Sequence, residues 1–114
     1  MSVQTSLSAP GVWVVTPVGR IDARLSPILE ETLQQLISGG SRWLVVDFSR
    51  VNFVASSGLK ALIAARRKIR VTGGDVALVG LNPQVREVLE MTGIDRLFGL
   101  YATVAEAVAG IRET

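Results

Sequence analysis

Between Leu44 and Ile69 the hydrophobic pattern changes its period, and that change constrains the fold more than any other feature of the chain. Leu44, Val45 and Val46 form an apolar run that ends at Asp47, which predicts a strand over residues 43–48. A short turn is expected through Ser49, Arg50 and Asn52. Beyond it Leu59, Leu62, Ile63, Arg66 and Ile69 recur at helical spacing, predicting a helix from Ser57 to about Val71, closed by Gly73-Gly74. At the junction stands Ser56-Ser57, where a serine oxygen can cap the free N–H groups of a helix start. Two hydroxyls at the positive end of a helix also make a ready place for a phosphate.

The rest of the chain repeats the alternation. Two strands are predicted at residues 3–8 and 12–19, joined by a turn at Ala9-Pro10-Gly11, with Trp13 and Val15 on one face and Val12 and Val14 on the other. A helix is expected from about Ser26, with Pro27 at its first position and Glu30 and Glu31 near its first turn. Its apolar stripe is Ile28, Leu29, Leu33, Leu36 and Ile37, and Gly39-Gly40 ends it. Asp75 to Val79 reads as a strand, and Asn82-Pro83 opens a helix carrying Val85, Val88 and Leu89 that stops near Gly93. A short strand around Leu97–Leu100 precedes a last helix, which opens on the capping box Thr103-x-x-Glu106 and turns Val104, Val108 and Ile111 inward. Strands alternating with helices predict a single α/β domain over residues 1–114. The expected architecture is a mixed sheet of four or five strands covered by about four helices.

Composition narrows the chemistry. Hydrophobic residues make up 48% of the 114 residues, enough for a full core. With no histidine and no cysteine, imidazole acid–base chemistry, thiol chemistry and the usual zinc sites have no residues to use. The carboxylate pairs Glu30-Glu31 and Glu87-Glu90 read as solvated helix charge, so neither an enzyme, a metal site nor a cofactor is expected. The basic run Arg66-Arg67-Lys68-Ile69-Arg70 lies near a helix C-terminus, where the dipole favours cations. With a net charge of +2 and no interleaved aromatics it predicts no nucleic-acid binding. No apolar run is long enough to span a membrane, so no membrane insertion is expected, and the start lacks a signal-type segment. A cytoplasmic protein is the expectation.

Four segments, in order, carry a family resemblance. Gly19-Arg20-Ile21-Asp22 is similar to the Gly-x-Leu-Asp that precedes the first helix of STAS-family anti-sigma factor antagonists. Val46-Asp47-Phe48-Ser49-x-Val51-x-Phe53 resembles the strand and turn before the phosphorylation site of that family, and Ser56-Ser57-Gly58-Leu59 matches the core of its Asp-Ser-Ser-Gly-Leu motif. Gly73-Gly74 and the run from Asn82 to Gly93 resemble its later strand and helix. The resemblance implies a STAS-type fold and a protein switch without catalysis. An unphosphorylated antagonist binds an anti-sigma factor that is also a serine kinase, is phosphorylated by it, and is reset by a phosphatase. Carried over by position, the phosphorylated residue is Ser56. Asp22 is the acidic residue that lies close to it and helps recognition by the kinase. Ser57 and Gly58 shape the helix start, these four residues make the partner-binding site, and Leu59 anchors the helix.

The sequence departs from the motif at Ala55, where phosphorylated members usually carry aspartate. Two readings therefore stand side by side. One is the phosphorylated antagonist. The other is an accessory or scaffold subunit of the same fold, held constitutively in a larger signalling or lipid-transport complex. At the level of single residues, Ser56 and Ser57 also read as plain helix caps, worth about 1 kcal/mol. Asp22 reads equally well as a cap of the turn before the first helix.

Overall fold

The long strand β2 (Val12–Ile21) organises the molecule, because different partners bond to its two halves. The computed structural model describes residues 2–112. β1 (Ser2–Ala9) runs antiparallel to β2 through the tight turn at Pro10-Gly11, from Ser2 opposite Val18 to Ala9 opposite Val12. On the other side, β3 (Trp43–Asp47) pairs parallel with the first half of β2, Val12 to Val15. β4 (Val51–Val54) takes over further along, pairing parallel with Gly19 to Ile21. β5 (Asp75–Val79) lies parallel beside β3, and β6 (Gly99–Tyr101) closes that side beside β5. The path is β1-β2-β3-β5-β6 with β4 branching from β2, a mixed sheet of six strands among the described residues.

Four helices sit on this sheet: α1 (Leu25–Ser38), α2 (Ser56–Val71), α3 (Pro83–Thr92) and α4 (Val104–Ile111). Strand alternation sends side chains to opposite faces, and the core divides accordingly. On one face Val15, Leu44, Val46, Val76 and Leu78 meet Leu29, Leu33 and Ile37 of α1, Leu59, Leu62 and Ile69 of α2, and Val85 and Leu89 of α3. On the other face Val12, Val14, Val45, Ala77 and Val79 meet Ala107 and Ile111 of α4. The predicted division of Val15 from Val12 and Val14 is the one observed, with Trp13 packed beside Val15.

Several local expectations need correction. The stretch read as a turn after Asp47 contains β4, a strand too short to show alternation, which exists because β2 offers it an open edge. β2 itself runs to Ile21 rather than stopping at residue 19. α1 begins at Leu25, one residue early, so Pro27 stands inside the first turn and neither Glu30 nor Glu31 reaches it. Ile28, assigned to the apolar stripe, is 51% exposed. The strand expected at 97–100 lies at 99–101, behind a 3₁₀ turn over Ile94–Leu97. The caps behave as their residues predict. Asn82 Oδ1 accepts from Val85 N–H at 2.8 Å, Gly93 ends α3 in the left-handed region, and Thr103 Oγ1 accepts from Glu106 N–H at 3.2 Å.

Candidate functional site

The start of α2 meets the end of β2 through one backbone bond: Ala55 N–H donates to the Ile21 carbonyl at 2.8 Å. Asp22 and Ser56 each follow directly on that bond, so residues far apart in sequence emerge at the same end of the sheet. Ala55, in extended backbone, is the N-cap residue of α2, and its methyl side chain supplies no hydrogen bond. Its carbonyl accepts from Gly58 N–H at 2.9 Å and Leu59 N–H at 3.2 Å. The serines are therefore not caps. β4 runs on to Val54, which leaves Ala55 as the junction and draws both serines into the first helical turn.

Neighbouring residues of a helix differ by about 100° in direction, and here that separates the fates of two identical side chains. Ser57 turns inward and its hydroxyl donates to Ser26 Oγ at 2.8 Å, tying the start of α2 to the start of α1. Ser26 is 3% exposed. The Ser56 side chain is exposed, and among the described residues its hydroxyl has no hydrogen-bond partner. A free hydroxyl thus stands on an uncapped helix start, where the aligned peptide dipoles favour an anion.

Asp22 has its own local task. Its Oδ1 accepts from Arg24 N–H at 3.0 Å and Leu25 N–H at 3.2 Å, closing the turn that leads into α1. The bond from Leu25 is the main reason its carboxyl is held below the ordinary range. Partial desolvation opposes the shift, while the Arg24 bond and the Arg20 charge reinforce it. The capping reading of Asp22 is the one observed: a carboxylate fixed at the turn into α1, one residue beyond the Ile21 carbonyl that bonds the start of α2.

Gly58 is buried where α2 crosses the ends of β2 and β4. A Cβ there would lie 2.5 Å from Ile21 Cγ2 and 3.0 Å from Val54 Cγ2. Leu59 is 6% exposed and belongs to the main core. The last two residues of the serine motif therefore set how closely α2 approaches the sheet.

Next to this corner lies a surface that sequence reasoning did not single out. The Arg20 guanidinium stacks over the Phe53 ring at 4.1 Å. Phe53 and Val88 are each 37% exposed. They line a shallow groove of about 200 Å³ between β4 and α3, together with Asn52, Val54, Gln84 and Val85. Asn82 holds its walls together, since its amide donates to the Val51 carbonyl at 3.1 Å while its oxygen caps α3. The one sequence signal for this groove was an aromatic residue in a segment otherwise read as a turn. The groove and Ser56 are joined through Val54 and Ala55.

The basic run at the end of α2 lies elsewhere. Arg70 pairs with Asp75 at 3.1 Å and Arg66 approaches the same carboxylate at 4.0 Å, so part of its charge is met within the fold. Among the described residues no group of three or more candidate metal-ligating side chains comes together, and no helix is long and apolar enough to cross a membrane.

Comparison with known proteins follows the same outline. Residues 6–107 match the family model of the STAS domain. The chain is 34% identical over 104 residues to the anti-sigma-F factor antagonist RsfB of Mycobacterium tuberculosis, covering 90% of this chain and 83% of that one. It superposes on the anti-sigma factor antagonist SpoIIAA in its unphosphorylated form with a TM-score of 0.87, at 22% identity, covering 99% of this chain and 98% of that one. With the phosphorylated form of SpoIIAA from Bacillus the TM-score is 0.77 at 21% identity, covering 95% and 97%.

Proposed function

The chain belongs to the STAS domain family, and on that premise we propose that it is an anti-sigma factor antagonist switched by phosphorylation of Ser56. Its partner in this reading is an anti-sigma factor that is also a serine kinase, and a phosphatase resets it. The observation that carries the proposal is the contrast within the serine pair: Ser57 is bonded to Ser26, while Ser56 presents a free hydroxyl at the start of α2. Asp22 follows Ile21, whose carbonyl accepts from Ala55 N–H. The Arg20–Phe53 stack and the groove toward Val88 lie along β4, which leads into α2, so the same end of the sheet offers charged and apolar contact surface. Gly58 sets the helix at the depth that presents it.

The switch follows from electrostatics. A phosphate adds roughly −1.5 to −2 charges and three strong acceptor oxygens. At a helix start the peptide dipoles favour that charge, so the fold tolerates it. Across a docked interface the same charge must be desolvated close to the ionised Asp22, and that costs binding energy unless the partner supplies a cation. A loss of about 3 kcal/mol weakens binding roughly a hundredfold. Phosphorylation therefore acts on the partner and leaves the fold alone.

Ala55 favours a second reading. An alanine N-cap gives Ser56 no acidic side chain on its preceding residue, which suits a constitutively bound accessory or scaffold subunit. Affinity purification from the native cells with wild-type, Ser56→Ala and Ser56→Asp baits separates the two, combined with phosphosite mapping of the wild type. The switch requires phosphate on Ser56, retention of the partner by Ser56→Ala and its loss by Ser56→Asp. Equal retention by both variants refutes the switch and supports the constitutive subunit.

A further inference from the structure

We infer that two copies of this chain associate through the outer edge of β1, in an antiparallel strand pair centred on Thr5. Among the described residues β1 and β6 end the path of the sheet, and the four-residue β4, branching from β2, is a short further edge. β6 is only three residues long, a length that protects an edge. β1 is eight residues long, Ser-Val-Gln-Thr-Ser-Leu-Ser-Ala, without a charge or a proline, and its one irregularity lies at its end, between Leu7 and Ala9. The devices that usually keep an edge strand from pairing are absent from its length. Six of its eight residues are exposed, and Leu7 is 60% exposed.

The register determines which backbone groups are free. The Gly11 carbonyl accepts from Trp43 N–H, so it points toward β3. By alternation the polar backbone groups of Trp13 and Val15 point the same way, and those of Val14 and Thr16 face β1. Pro17 agrees, since its missing N–H falls at a position turned away from β1. The residues opposite Pro17, Val15 and Trp13 are Val3, Thr5 and Leu7. Their N–H and C=O groups therefore form the open edge.

A two-fold axis at Thr5 sets Thr5 against its copy and Val3 against Leu7 of the second copy. Each pair exchanges N–H and C=O bonds, and all three side chains lie on the α1 face of the sheet, where the exposed Leu7 gains an apolar neighbour. No like charges oppose one another. α1 lies over β1 and β2 on that face, so the axis also brings the two α1 helices alongside. With the axis at Thr5 the paired stretch is Ser2–Ser8, seven residues that at about 3.4 Å each span about 24 Å. An edge about 10 Å thick then buries on the order of 500 Å² in total, below a standard interface. The pair is accordingly weak and concentration-dependent. Ser56, beyond the far end of β2, remains accessible in both copies.

Sedimentation velocity over a wide concentration range tests this. The expected result is a mass that rises from 12.2 kDa toward twice that value. Thr5→Lys, which sets two ammonium groups against each other on the axis, stays monomeric with an unchanged circular dichroism spectrum. Thr5→Pro does the same, because the N–H it removes faces outward and the bonds to β2 survive. The chain has no cysteine, so mild oxidation of Thr5→Cys gives a disulfide-linked dimer, while Gln4→Cys, whose side chain lies on the opposite face, gives much less. A wild type that stays monomeric throughout overturns the inference. So does a dimer that Thr5→Lys leaves intact, or one that crosslinks equally through Gln4→Cys.

Discussion

Replacing Gly58 by alanine sets two opposing effects against each other, and the structure decides between them. Alanine is the better helix former by about 1 kcal/mol in a helix interior. Against that, the new methyl lands 2.5 Å from Ile21 Cγ2 and 3.0 Å from Val54 Cγ2. Neither neighbour can yield easily. Both methyls sit on β-branched side chains with restricted χ1, and Ile21 and Val54 are 0% and 6% exposed. Overpacking of this kind costs about 1–3 kcal/mol, and a 2.5 Å approach belongs at the upper end. The net expectation is a loss of about 1–2 kcal/mol, a fall in Tm of roughly 4–8 °C for a domain of this size. Thermal and urea melts followed by circular dichroism measure it. Ile21→Leu moves the γ-branch away, so in the double variant much of the loss should disappear, an interaction that a mutant cycle isolates. A Gly58→Ala protein as stable as the wild type would show that close approach is not why glycine stands there.

Two further outcomes follow from the same elements. Asp22 is held below the ordinary carboxylate range by the bonds that cap α1. Its contribution to stability is present above the unfolded-state value, near 3.9, and is lost as pH falls through the lower folded value. Asp22→Asn keeps an acceptor but no longer titrates, so urea midpoints of the two proteins measured against pH should converge on acidification. Parallel curves would remove Asp22 from the acid response. Asn82→Ala deletes the α3 cap and the bond to the Val51 carbonyl. It should cost about 1–2 kcal/mol, read from the urea midpoint, and amide exchange should quicken first at Val85 and along β4. Unchanged exchange at both would mean that Asn82 does not couple them.

Composition, periodicity and caps were enough to predict the α/β alternation, the faces of β2 and the starts of α3 and α4. Each of these depends on groups within a few residues of one another: Asn82 reaches Val85, Thr103 reaches Glu106, and alternating side chains separate Val12 from Val15. The motif around Ser56 was likewise readable, since its residues are contiguous. Tertiary structure decided the rest. β4 is a strand because β2 extends past β3 and offers unpaired backbone, a circumstance no four-residue segment encodes. That pairing made Ala55 the N-cap and moved the serines into the helix. Ser57 is engaged and Ser56 free because Ser26, 31 residues away, comes to rest under α2. The need for glycine at position 58 is set by Ile21 on another strand. Local chemistry determined the helices and the other strands, and long-range backbone pairing and packing determined β4 and which of two identical hydroxyls faces solvent.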